Sequence, residues 1–222
     1  MMRRRSDIYP PLWRRRPVVT IVLLVCAGLM VAARMGGGPA SSPRTANAAD
    51  DRQRYDRREA TVVRVVDGDT LDVDIPDGGR AATRIRLWGV DTPEVAGSPR
   101  GAMAFGTEAS TYTRNEVEGR RVRIALEPER ASRDKYGRLL AYVYRLDTGE
   151  MLNERLLESG HAYADVRFDH VYKRRFAALE GRASKARAGL WAVVTPEQYP
   201  PWRQRYEAWR ASGTTTQPAS GR

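Results

Sequence analysis

The sequence predicts an α+β fold, a five-stranded Greek-key β-barrel of the OB type with about three helices packed against it. Five short runs of alternating or β-branched apolar residues lie between Thr61 and Tyr144. A single stretch with helical periodicity separates the third run from the fourth. The remaining helical stretches follow the fifth run, so strands and helices do not alternate as they would in a parallel sheet.

The first strand is expected over residues 61–66, which are rich in valine. Leu71, Val73 and Ile75 alternate with Asp72 and Asp74, the signature of a half-buried second strand. Pro76, Asp77, Gly78 and Gly79 make a turn, and a third strand is expected over residues 80–88. Residues 101–116 read as a helix with Phe105, Ala109, Tyr112 and Thr113 near one face. A fourth strand over 120–126 places Val122, Ile124 and Leu126 on one side, and a fifth runs over 138–144. Helices are expected over 151–159, with Gly160 as the C-terminal cap, and over 170–188, ended by Gly189. Trp202, Tyr206 and Trp209 then recur at helical spacing, giving one aromatic face to dock on the domain or to meet a partner.

This order divides the 222 residues into four parts: a basic N-terminus with an apolar segment (1–33), a flexible linker (34–56), the folded domain (57–195) and a partly helical tail (196–222). Arginine triplets at 3–5 and 14–16 precede an apolar run from Val18 to Ala33. Arginines on that side are expected to stay in the cytoplasm, so the rest of the chain is expected to be exported. The run suits either an uncleaved membrane anchor or a cleaved signal segment. Glycine, proline and serine at 36–43 cannot bury apolar surface, which is why 34–56 is expected to be a linker.

The formal charge of +11 sits mostly at that N-terminus. Residues 1–58 carry +8 and residues 196–222 carry +2, whereas residues 59–195 are nearly neutral at +1. Overall basicity therefore says little about nucleic acid, and the argument has to come from a site. Cys26 is the only cysteine, which excludes an intramolecular disulfide and any Cys/His zinc pattern. His161 and His170 lie apart from the charged motifs and are expected to be ordinary packed or surface residues.

Three motifs carry the chemistry. Asp67-Gly68-Asp69-Thr70 turns between the first two strands. Arg86 sits on the third strand, shortly before Asp91-Thr92-Pro93-Glu94, where proline stiffens the loop and holds Thr92 extended. Asp134-Lys135-Tyr136-Gly137-Arg138 opens the fifth strand. Asp69, Asp91 and Glu94 form a carboxylate-rich set without Cys or His, which selects calcium, magnesium or manganese over zinc or copper. The spacing around Asp67 excludes an EF-hand. Arginine suits phosphate because its planar, always charged fork makes two parallel hydrogen bonds.

Taken in this order, the three motifs resemble the staphylococcal nuclease (thermonuclease) family. The resemblance runs from about Thr61 to Trp191 and takes in Phe105-Gly106-Thr107-Glu108, Leu152-Asn153-Glu154 and Gly189-Leu190-Trp191. It implies an OB-fold, Ca2+ as cofactor and hydrolysis of DNA and RNA to 3′-phosphate ends. It further implies that Asp69 and Asp91 ligate calcium directly and Thr92 through its main-chain carbonyl. Arg86 and Arg138 would bind phosphate, Glu94 would position or deprotonate the attacking water, and Lys135 and Tyr136 would line the nucleotide pocket. The sequence departs from the family after Gly160, where Val166-Arg167-Phe168 replaces two base-flanking tyrosines, so stacking is expected to pass to Phe168 or Tyr163. No protein partner is expected and the protein is expected to be a monomer. Two other readings fit the same fold: a non-catalytic nucleic-acid-binding module and a surface-displayed adaptor domain.

Overall fold

The computed structural model describes residues 50–99, 101–128 and 130–213. The expected N-terminal segment, most of the linker and the end of the tail from residue 214 lie outside the described residues. Among the described residues, no helix is long and apolar enough to cross a membrane.

Five strands close into a barrel: β1 (Glu59–Asp67), β2 (Thr70–Val73), β3 (Thr83–Leu87), β5 (Arg121–Leu126) and β6 (Leu139–Arg145), in the order β1-β2-β3-β6-β5. All their pairings are antiparallel except β3 with β6, which is parallel. The long β1 serves two neighbours, pairing with β5 through Glu59–Thr61 and with β2 further on. Register shifts after Val62 and after Val65 bend it between them, as bulges do where a barrel must close. Alternate residues point inward, so Val62, Leu71, Val73, Ile85, Leu87, Val122, Ile124 and Val143 are fully or almost fully buried.

Several edges differ from the sequence expectation; the last expected helix, 170–188, spans only Lys173–Lys185. Two further differences have a visible cause. The third strand begins at Thr83 rather than at residue 80, because Asp77 and Arg80 pair across the turn and residues 81–82 bend. The helix α1 (Gly106–Val117) starts five residues later than the helical spacing predicts. Phe105 lies in the left-handed region at φ 70°, which ends the preceding loop and starts the helix.

Helix α2 (Leu152–Glu158) and helix α3 (Lys173–Lys185) complete the expected set. Between them, a two-stranded ribbon joins β4 (Val90–Asp91) to β7 (Tyr163–Ala164), a feature too short to have a sequence period. A short turn, α4 (Leu190–Val193), leads to α5 (Pro201–Ala211), the aromatic helix of the tail. Tyr163, Val166, Leu190, Val194 and Trp202 form a second apolar cluster beside the barrel core.

Packing continues on both sides of the expected domain, 57–195. Residues 50–55 are helical, and Tyr55 is completely buried in the main core. Asp51 is also buried and forms an ion pair with Arg133 at 2.8 Å. Residues 50–55, expected in the linker, therefore pack with the folded domain, since a flexible segment could not place a tyrosine at zero exposure. At the other end, Trp202 and Arg203 are buried, so the domain includes α5.

Candidate functional site

The site begins with strand register. β2 and β3 pair with Thr70 opposite Arg86, which brings the Asp69–Thr70 turn beside the third-strand arginine. The turn packs closely: a side chain at Gly68 would meet the Thr92 side chain at 2.6 Å, so only glycine lets the two loops approach. The Thr113 hydroxyl on α1 holds the Gly68 carbonyl at 2.6 Å.

Arg86 gathers the surrounding groups. Its Nη2 lies 3.0 Å from Asp69 Oδ2 and 2.7 Å from Asp91 Oδ1. Its Nη1 donates to the main-chain carbonyls of Leu87 at 2.9 Å and Val90 at 2.7 Å. These bonds fix the loop between β3 and β4 against the strand, so one guanidinium positions both carboxylates. Burial opposes its charge, but Asp69 and Asp91, then Asp165 and Asp67, outweigh burial and make its proton harder still to remove.

Asp69 Oδ2 also accepts the Thr92 main-chain N–H at 2.9 Å, and Oδ1 accepts the Thr70 hydroxyl at 3.1 Å. Burial pushes the Asp69 carboxyl up to about 8 against the pull of Arg86, and Asp67 and Asp91 push in the same direction. Burial is the largest of these causes, so the carboxyl keeps its proton into the neutral range.

Arg138 joins the site through Thr70. Its Nη1 reaches the Thr70 hydroxyl at 3.4 Å, and its Nε donates to Asp134 at 2.7 Å. The guanidinium is about one quarter exposed and stands over the Tyr136 ring. Lys135 also reaches that ring, and Tyr136 itself is 66% exposed. Glu94 follows three residues after Asp91 on the stiffened loop, where its carboxylate accepts the Ser98 hydroxyl at 2.5 Å. A side chain at Gly106, the first residue of α1, would sit 2.1 Å from the Glu94 carbonyl, so the helix start supports this loop directly.

The structure brings Asp69, Arg86, Asp91 and Thr92 into one buried cluster and links Arg138 to it. The expected substrate residues divide. Phe168 is exposed and lies 5.6 Å from the Trp88 ring, so it is available for stacking. Tyr163 is not: it is fully buried, edge-on to Trp191, Tyr199 and Trp202, and belongs to the second core. Both histidines pack on aromatic rings, His161 on Tyr112 and Phe105, and His170 on Phe176 and Tyr142.

Sequence reasoning missed two contributors. Arg167 donates to Asp91 Oδ1 at 3.2 Å while holding Asp165 at 2.7 Å. Trp202 Nε1 donates to Asp91 Oδ2 at 2.7 Å from α5. The Asp165/Arg167 charge pair inside an otherwise apolar stretch was the available signal for the first. Nothing in the sequence links residue 202 to residue 91.

Among the described residues, no three His, Cys, Asp or Glu side chains gather closely enough to hold a metal by themselves. The donor chemistry nevertheless fits a hard cation, because Asp69 and Asp91 offer buried carboxylate oxygens gathered beside one guanidinium nitrogen. Coordination by Asp69, Asp91 and the Thr92 carbonyl would need water and phosphate oxygens to complete it.

The family described as staphylococcal nuclease homologue matches residues 84–193. The thermonuclease of Staphylococcus hyicus is 33% identical over 181 residues, covering 80% of this chain and 99% of that protein. The thermonuclease of Staphylococcus intermedius is 38% identical over 131 residues, covering 59% and 74%. An uncharacterized endonuclease of Escherichia coli O157:H7 is 33% identical over 147 residues, covering 65% and 83%.

Proposed function

The chain belongs to the staphylococcal nuclease family, and from that premise we propose that it is a calcium-dependent nuclease cutting DNA and RNA to leave 3′-phosphate ends. The buried Asp69–Arg86–Asp91 cluster, tied to Arg138 through Thr70, is the observation that carries the reading. Two buried carboxylates held in place beside a partly exposed arginine suit a cation and a phosphate together, which is the arrangement hydrolysis of a phosphodiester uses.

In this reading Asp69, Asp91 and the Thr92 carbonyl would hold calcium, which would supply positive charge to the phosphate. Arg138 takes a non-bridging phosphate oxygen, because its guanidinium is fixed by Asp134 yet open on one side. Arg86 adds charge from within, but both of its terminal nitrogens already bind protein groups, so its first task is to position the carboxylates. Glu94 accepts the proton of the attacking water. The water oxygen bonds to phosphorus, the P–O5′ bond breaks, and the departing oxygen takes a proton from solvent. Phe168, beside Trp88, together with Tyr136 and Lys135, offers the base and sugar a place to stack.

Export is part of the proposal. It rests on the arginine clusters and the apolar run at residues 18–33, which suit an anchor or a cleaved signal and would place the domain outside the cytoplasm. A calcium-dependent enzyme suits that side, where the ion is plentiful. The test is cleavage of end-labelled DNA and RNA with calcium, with chelator, and with calcium restored, followed by end-group analysis. Cleavage that survives excess chelator rejects calcium. Products bearing 5′-phosphates reject the bond assignment, and binding without cleavage returns the domain to a non-catalytic role.

A further inference from the structure

We propose that Trp202 is a positioning residue for the site: its indole N–H, delivered by α5, sets which oxygen of Asp91 is left to face a cation. The inference rests on the calcium reading given above. Its evidence is the count of hydrogen bonds on one buried carboxylate. Asp91 Oδ1 accepts from Arg86 at 2.7 Å and from Arg167 at 3.2 Å, which occupies both of its lone pairs. Asp91 Oδ2 accepts from Trp202 Nε1 at 2.7 Å, leaving one lone pair on that oxygen. Three donors from three separate stretches of chain therefore turn a symmetric carboxylate into a single-direction ligand. Groups that hold metal ligands in this way fix their orientation and tune affinity.

The grip is built rather than incidental. The Arg167 guanidinium lies 4.6 Å from the Trp202 ring, so the two donors to Asp91 also stack on one another. The next residue, Arg203, secures the helix. It is buried and donates to both oxygens of Glu180 at 2.9 Å. Glu180 in turn accepts the Ala164 main-chain N–H at 2.8 Å, on the strand paired with β4, which ends at Asp91. Two adjacent residues of α5 thus clasp both sides of the ribbon that carries the ligand, one by its charge and one by its indole. Ring packing alone would not require the indole nitrogen to face a carboxylate.

The experiment is a calcium titration of the protein without nucleic acid, followed through the amide NMR signals of Asp69, Asp91 and Thr92. It compares wild type with Trp202→Phe and with a protein carrying benzothienylalanine at position 202. The second substitution keeps the shape of tryptophan but has sulfur in place of the N–H, so the helix stays docked even if phenylalanine loosens it. The expected result is calcium affinity weakened on the order of 10- to 100-fold in the variants, the usual scale for losing a group that orients a ligand. A purely structural role would lower the melting temperature of Trp202→Phe but leave the affinity of the folded benzothienyl protein unchanged. Equal affinity in wild type and the benzothienyl protein overturns the inference. Absence of calcium-dependent shifts at these amides in wild type would instead remove the calcium reading itself, and the inference with it.

Discussion

At the scale of single residues, the site separates groups that position from groups that react, and substitutions should divide the same way. Glu94→Gln keeps size and the bond from Ser98 but loses the charge that accepts a proton. Nucleotide binding should persist while the single-turnover cleavage rate falls by a factor on the order of 10² or more. A rate equal to wild type would remove Glu94 from the reaction. Asp69→Ala should instead lower calcium affinity and rate together, because the residue is proposed as a direct ligand. Arg138→Lys is expected to reduce kcat/KM at least about tenfold, since an ammonium cannot hold Asp134 and Thr70 and still offer a fork to phosphate. Steady-state kinetics on an oligonucleotide checks this. The residues that combine into the buried cluster were legible because each motif is short, and strand register brings Asp69 and Arg86 together without help from distant chain. Tyr163 misled because alternation in a two-residue strand cannot reveal which side is inward. Its neighbours Trp191, Tyr199 and Trp202 close over it from beyond the motif region.

At the scale of elements, the barrel was readable and its late additions were not. Each barrel strand has enough residues to display a period of two, and α1, α2 and α3 each display a stretch of their own. The ribbon of β4 and β7 has two residues per strand, so only the folded chain shows that Asp91 and Tyr163 are partners. Helix α5 was visible as an aromatic face, yet its strongest tie is an ion pair. Glu180 and Arg203 are 10% and 5% exposed in their side chains, which makes this a buried pair whose single halves are costly to remove. Arg203→Met should destabilise the protein by about 3–5 kcal/mol, measured by urea unfolding. Burial already pushes the Glu180 carboxyl up against the pull of Arg203, and losing that pull pushes it further. The double variant Glu180→Gln with Arg203→Met should recover part of the loss, because it no longer buries an unpaired charge. No recovery would mean that the loss in Arg203→Met does not come from the unpaired Glu180 charge.

At the scale of the molecule, the fold extends further toward both ends than its motif core. A fragment covering residues 50–213 should fold and stay soluble, whereas one starting at residue 59 loses the fully buried Tyr55 and Asp51, one of the two carboxylates paired with Arg133. Removing a buried aromatic residue costs about 3–5 kcal/mol, so thermal melting should separate the two fragments clearly. Equal melting temperatures would return residues 50–56 to the linker. Among the buried groups that respond to pH, Asp69 should give a separable contribution. Asp69 has its carboxyl raised from 3.8 to about 8, chiefly by burial, so the folded state holds a proton that the unfolded chain gives up near pH 4. A raised pKa contributes stability that is fully present below the unfolded value and lost as pH rises through the folded one. Without added metal, this single group should therefore contribute a decline between about pH 4 and pH 8, by up to about 1.4 kcal/mol per pH unit. Below the ordinary imidazole value it is opposed by His161 and His170, which burial holds low. Asp69→Asn carries no titrating proton and should flatten that decline, which ties the effect to this residue. Calcium binding should release a proton in the same window, because a ligating carboxylate must be ionised. Urea unfolding from pH 4 to pH 8, with chelator and with calcium, measures all of this together. A decline that persists unchanged in Asp69→Asn would show that the buried charge lies elsewhere in the cluster.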